Sequence, residues 1–203
     1  MNCEAYNIAR HLNMNDIDTQ LAMQCAPFIM GLKISNLFII ENEYLWDTVK
    51  RLECMGISYF ILLRTDERTT FLLYNEDALK EYLSDSGIQL LLKEYGYEYE
   101  YEYENLNELL IQFRIRYRKY DSLHKGFPHE IGIFLGYPIE DVLGFIHNKG
   151  DNALYTGYWK VYANLPEKLG IFHKFETAEA NLFKMLLQGH RLLYPEMNML
   201  TSF

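Results

Sequence analysis

Ile57-Ser58-Tyr59-Phe60-Ile61-Leu62-Leu63-Arg64-Thr65-Asp66-Glu67-Arg68-Thr69-Thr70-Phe71-Leu72-Leu73-Tyr74 decides the fold class. Two runs rich in aromatic and β-branched residues flank the polar tetrad Thr65-Asp66-Glu67-Arg68, the pattern of a β-hairpin with strands over 57–64 and 69–74. Upstream, Asn36-Leu37-Phe38-Ile39-Ile40 reads as a short buried strand. Helical spacing surrounds these strands. Asp16 is placed to cap a helix over 17–24, with Pro27 and Gly31 as its stop. Tyr44, Leu45, Val49, Leu52 and Met55 recur at helical intervals and Gly56 closes them. Asn75 is placed to cap a helix over 76–83, and Ser86 to open another through 93.

Downstream the pattern is almost wholly helical. Leu106, Leu109, Leu110, Phe113 and Tyr117 mark an amphipathic helix. Helices are expected over 129–135, 138–147, 166–175 and 177–193, with one strand over 158–162. This order lacks a regular alternation of strand and helix. It predicts an α+β fold with a small, largely antiparallel sheet around the central hairpin, packed by several helices, and not a doubly wound parallel sheet. The 203 residues are expected to form a single domain, with sub-regions 1–93 and 105–203 joined by a Glu/Tyr-rich segment over 94–104.

Composition narrows the function classes. The net charge of −9 and sequence pI near 5.2 argue against a general nucleic-acid or anionic-membrane binder, both of which need basic surface. The longest apolar stretches, 37–40 and 59–63, fall far short of a membrane span, and the N-terminus carries no signal-peptide pattern. Cys3, Cys25 and Cys54 are odd in number and share no metal-type spacing, which suits free thiols in a reducing cytoplasm.

Chemistry-bearing residues concentrate between Phe127 and Tyr162. His129-Glu130 starts like a zinc-protease motif, but position 133 is isoleucine where a second histidine is required, and no two of the six histidines stand four apart, so no metal site is expected. Gly132, Gly136, Val142 and Phe145 suit two short helices meeting at a tight corner. The second of these opens on Pro138-Ile139-Glu140-Asp141, which would meet DNA phosphates with negative charge. Phosphate-loop, dinucleotide and hydrolase fingerprints are absent. Candidate ligand-binding residues are Lys160, Trp159 and Tyr158 on the aromatic strand, together with Lys33 and Lys149. Trp159 and Tyr158 would supply a stacking wall, and the lysines anion anchors. Cys25, at the end of an apolar helix, is either a nucleophile paired with a distant histidine such as His129 or a small buried hydrophobe.

Cys25-Ala26-Pro27, Gly31-Leu32-Lys33, Phe127-Pro128-His129-Glu130-Ile131-Gly132, Leu135-Gly136-Tyr137-Pro138, Glu140-Asp141-Val142, Gly144-Phe145-Ile146, Asn148-Lys149-Gly150 and Gly157-Tyr158-Trp159-Lys160-Val161-Tyr162 together resemble a bacterial family of unknown function, found largely in anaerobic Gram-positive bacteria. The resemblance covers most of the chain, with the Glu/Tyr run and the tail after about 189 as departures. It implies a small cytosolic bacterial protein and supplies no activity, cofactor or catalytic residue.

The expected function is therefore a non-enzymatic, cytosolic accessory protein that binds a small molecule or a protein partner, as a monomer or a homodimer. The alternative is a small enzyme with His129 and Glu130 as acid and base and Cys25 or Lys160 as nucleophile or anchor. A third reading takes the acidic Tyr/Glu strip as a docking or nucleic-acid-mimicking surface.

Overall fold

The computed structural model describes residues 3–97, 106–123 and 128–192. The described residues form an α+β fold. The elements run α1 (Cys3–Ala9), α2 (Ile17–Ile29), β1 (Ser35–Glu41), a single 3₁₀ turn, α3 (Leu45–Cys54), β2 (Ser58–Arg64), β3 (Arg68–Tyr74), α4 (Glu76–Leu83) and α5 (Ser86–Glu94). They continue as α6 (Leu106–Leu123), α7 (Ile131–Phe134), α8 (Ile139–His147), β4 (Tyr155–Thr156), β5 (Lys160–Val161) and α9 (Leu165–Leu187). No helix among the described residues is long and apolar enough to cross a membrane.

The hairpin forms as expected, and β1 pairs antiparallel with the far side of β3, giving the order β1-β3-β2. Central position explains the near-continuous apolar character of β3: both of its faces are covered, so it has no polar side to alternate. Phe38, Ile40, Tyr59, Ile61, Phe71 and Leu73 face one core, shared with α1, α2, α3 and α9. Leu37, Phe60, Leu62, Leu72 and Tyr74 face a second core under α4 to α8. A small sheet thus lies between two helical layers. β2 carries a bulge between Ile61 and Leu63, and the Leu62 carbonyl inside it accepts from Arg118 Nε at 3.3 Å.

Several elements differ from the sequence expectation: α1 and β4 were not expected, and the helix expected over 129–135 shortens to Ile131–Phe134. Pro27 does not end α2; the helix runs two residues further because Phe28 and Ile29 are buried, which offsets the one backbone bond that proline forfeits. The expected break at 176–177 is absent, and α9 is one helix that ends at Leu187. The Thr177 hydroxyl, at the expected start of the second helix, donates back to the His173 carbonyl at 2.9 Å and is satisfied inside the helix. The strand expected over 158–162 shrinks to Lys160–Val161, because Tyr158 and Trp159 leave the ladder for an aromatic cluster.

The Glu/Tyr run falls mostly outside the described residues. Of its first part, Tyr97 is buried, and the Arg116 guanidinium lies 5.3 Å and 5.7 Å from the Tyr95 and Tyr97 ring centroids. The far end of the described chain is fastened to its start. The Asp18 carboxylate takes Arg51 Nε at 2.5 Å and Nη2 at 2.7 Å, accepts from Leu192 N at 3.1 Å, and Arg51 also donates to the Leu192 carbonyl.

Candidate functional site

Several of the side chains that the sequence singles out lie around the corner between α7, α8 and the β4–β5 hairpin, which Asp141 holds. Asp141, on the first turn of α8, is buried and accepts from Trp159 Nε1 at 2.8 Å, Tyr162 N at 2.7 Å and Ala163 N at 3.1 Å. That single carboxylate satisfies three donors and pins the hairpin to the helix. Trp159 stacks on Tyr137 at 5.1 Å and meets Phe172 edge-on at 4.5 Å. Tyr158 donates to Glu179 Oε1 at 2.8 Å. Lys160 Nζ donates to the Gly150 carbonyl at 2.7 Å and lies 5.8 Å from the Phe145 ring centroid. His129 packs on the same ring at 5.5 Å. Lys149 is exposed, in a left-handed conformation just after α8.

Glu130 points elsewhere. Its side chain is fully buried, and Oε1 takes Arg116 Nε and the Tyr97 hydroxyl, the latter at 3.3 Å. His129 and Lys160 therefore share a neighbour in Phe145, whereas Glu130 belongs to an ion pair under α6. Trp159 and Tyr158 are packed into aromatic surroundings and do not line an open wall.

A different pair of sequence candidates comes together. At the end of α2 the Pro27 carbonyl accepts from Leu32 N at 2.8 Å and Lys33 N at 3.2 Å, which wraps the chain through Gly31 (φ +70°) into β1. Half-buried Lys33 is thereby turned toward the α7–α8 connection. Its Nζ donates to Asn36 Oδ1 at 2.5 Å and lies 5.5 Å from the Tyr137 ring centroid. Asn36 Nδ2 reaches the Gln24 carbonyl at 2.8 Å and Cys25 Sγ at 3.3 Å. Two further contacts lock the layers: Ser35 Oγ donates to the Phe134 carbonyl at 2.5 Å, and Gly136 (φ +67°) sits so close to Ile34 that a Cβ would overlap it. Cys25 of α2 and Tyr137 of the α7–α8 connection, distant in sequence, thus both lie near the Lys33 amine.

The electrostatics of this cluster are one-sided. Burial lowers Lys33 to about 8, opposed by its neighbour Cys25. Burial pushes the Cys25 thiol up to about 12, opposed by the Asn36 hydrogen bond and the Lys33 charge. Burial likewise raises the Tyr137 phenol to about 12. Cys25 is therefore a protonated thiol at neutral pH, whereas nucleophilic cysteines have lowered values. Lys33 is left as the charged group of the cluster, with no carboxylate within ion-pair distance among the described residues.

Asn36 and Tyr137 were not legible as site residues. The available signal for Asn36 was a polar side chain at the mouth of an apolar strand; Tyr137 lies between a left-handed glycine and a proline, which fixes its ring. Among the described residues no group of histidine, cysteine, aspartate and glutamate is arranged to hold a metal.

Neither the curated proteins nor the solved structures compared with the chain match it. A family model described as Protein of unknown function (DUF3793) matches residues 21–194, a span that runs from within α2 past the end of α9 and includes Lys33, Asn36 and Tyr137. The chain belongs to that family of proteins of unknown function.

Proposed function

We propose that the protein is a non-enzymatic binding protein of the reducing cytoplasm that takes a small anionic ligand, a carboxylate or a phosphate, on Lys33. One observation carries the reading: a half-buried ammonium is held by an amide oxygen and an aromatic face, among neighbours that stay neutral, with no carboxylate to balance it. A buried charge without a counterion is unfavourable, and a bound anion removes that penalty. The internal roles of Glu130, Lys160, Trp159 and Tyr158 also support binding over catalysis. Free Cys25 and Cys54 fit the proposed compartment.

Thermal-shift titration with small carboxylates and with phosphate, at constant ionic strength, tests it. A ligand at 100 times its dissociation constant adds about 2.7 kcal/mol of stability. Stabilisation in the parent protein and its loss in Lys33→Met are expected. Equal stabilisation of the variant, or none in the parent, refutes the reading.

A further inference from the structure

Lys168 and Lys33 both hold an amine out of bulk water, and they differ in what faces it. Lys168 of α9 is buried, and its Nζ lies 2.9 Å from Glu140 Oε1 and 3.6 Å from Glu167 Oε1. Burial works against its charge, but the Glu140 carboxylate outweighs burial and keeps the group an ammonium, above its ordinary value. Lys33 has no such partner. It meets the neutral Asn36 amide from β1, the Tyr137 ring from the α7–α8 connection, and the protonated Cys25 thiol from α2. No carboxylate stands within ion-pair distance of its Nζ among the described residues.

The missing counterion decides which species of the amine is present. In a pair like that of Lys168 and Glu140 the nitrogen lone pair is taken up by a proton. At Lys33 burial brings the group down to about 8, so a share of free amine exists near neutral pH. A desolvated lysine amine is a nucleophile. Carbon dioxide is small and uncharged, and it reaches a half-buried nitrogen without the desolvation cost that an ion bears.

We propose that the Lys33 amine reacts with carbon dioxide to form a carbamate, and that this modification switches off the anion site centred on the same amine. The Nζ lone pair attacks the carbon of carbon dioxide. An N–C bond forms, one C–O π pair moves onto oxygen, and Nζ releases a proton to water; amine and carbon dioxide thus give an N-carboxylate and a proton. The N–H that remains still matches Asn36 Oδ1, and because Lys33 is only half-buried, water can supply donors to the new carboxylate. A cation becomes an anion, so an anionic ligand is repelled where it was held. Conversely, a bound anion favours the ammonium and protects Nζ from carbon dioxide. The effect on the ligand rests on the reading of Lys33 as an anion site; carbamate formation does not. Trapping with triethyloxonium in buffer equilibrated with ¹³C-bicarbonate, read by peptide mass spectrometry on the intact protein after digestion, tests both. Bicarbonate held by charge alone leaves no adduct on nitrogen. A labelled ethyl carbamate is expected on Lys33 and none on Lys168, and acetate, against chloride at matched ionic strength, is expected to diminish it. Lys33→Arg, whose guanidinium stays charged, is expected to lose the adduct and to keep stabilisation by acetate in thermal shift. No adduct on Lys33, or an equal one on Lys168, overturns the carbamate whether or not acetate binds. An adduct that acetate leaves undiminished overturns the switch and leaves the carbamate standing.

Discussion

Lys33 gives the protein a pH signature. Its folded value, about 8, lies below the ordinary 10.5. Above pH 8 the folded protein therefore gives up a proton that the unfolded chain still holds, so stability rises with pH. Cys25 acts in the opposite sense, but only once the unfolded thiol begins to ionise near its ordinary value of 9. Between about pH 8 and 9, chemical denaturation is expected to show a rise in stability that Lys33→Met abolishes. Anion binding at Lys33 should weaken over the same interval. Asp141 gives a second residue-scale prediction. In Asp141→Ala the Trp159 indole and two backbone N–H groups lose their acceptor inside the core, for an expected loss of about 3 kcal/mol with a change in tryptophan fluorescence. Full stability in that variant would contradict the role assigned to it. Lys33 and Cys25 were legible from sequence as separate candidates. What joins them is Asn36, 11 residues beyond Cys25, and that link exists only because the α2–β1 turn folds back on itself.

β1 is an edge strand, and α2 shields it. Gln24 spans the gap with both ends of its amide: Nε2 donates to the Ile39 carbonyl at 2.9 Å and Oε1 accepts from Ile39 N at 3.0 Å. A glutamine side chain thus stands where a neighbouring strand would pair, beside the half-exposed Ile39 side chain. Gln24→Ala is expected to cost about 1 kcal/mol in urea denaturation and to increase self-association by light scattering. Unchanged scattering would show that the edge needs no such shield. The hairpin and β1 were readable because aromatic and β-branched residues cluster there between polar breaks. Two helix ends were not, although the caps at Asp16 and Asn75 were: Pro27 and Thr177 look like local stop and start points, and burial of Phe28 and Ile29 in one case, a back-bonded hydroxyl in the other, overrides them.

The two cores explain how a small sheet supports 203 residues. Alternation along β1, β2 and β3 feeds opposite layers, so one strand residue in two serves each. The class of fold was legible in the order of the elements, a hairpin and one further strand among helices; the strand order was not, since the pairing of β1 with β3 depends on which helices cover each face. The clasp of Asp18 and Arg51 on Leu192 closes the first core. Asp18→Ala leaves the Leu192 N–H without its acceptor and the Arg51 guanidinium without its counterion, with only the Leu192 carbonyl to accept from it, and a cooperative loss of about 3 kcal/mol in global stability is expected from calorimetry. Local fraying of the tail alone, with an unshifted main transition, would speak against the clasp as part of the core.

α9 supplies Ala178, Ala180, Leu182 and Phe183 to that same core, opposite Leu21, Ala22 and Ile29 of α2. α2 is therefore synthesised well before the helix that covers one of its flanks, while β1 and α3 pack against it from elsewhere. Until α9 docks, that flank of α2 is exposed apolar surface of the kind that chaperones and other chains engage.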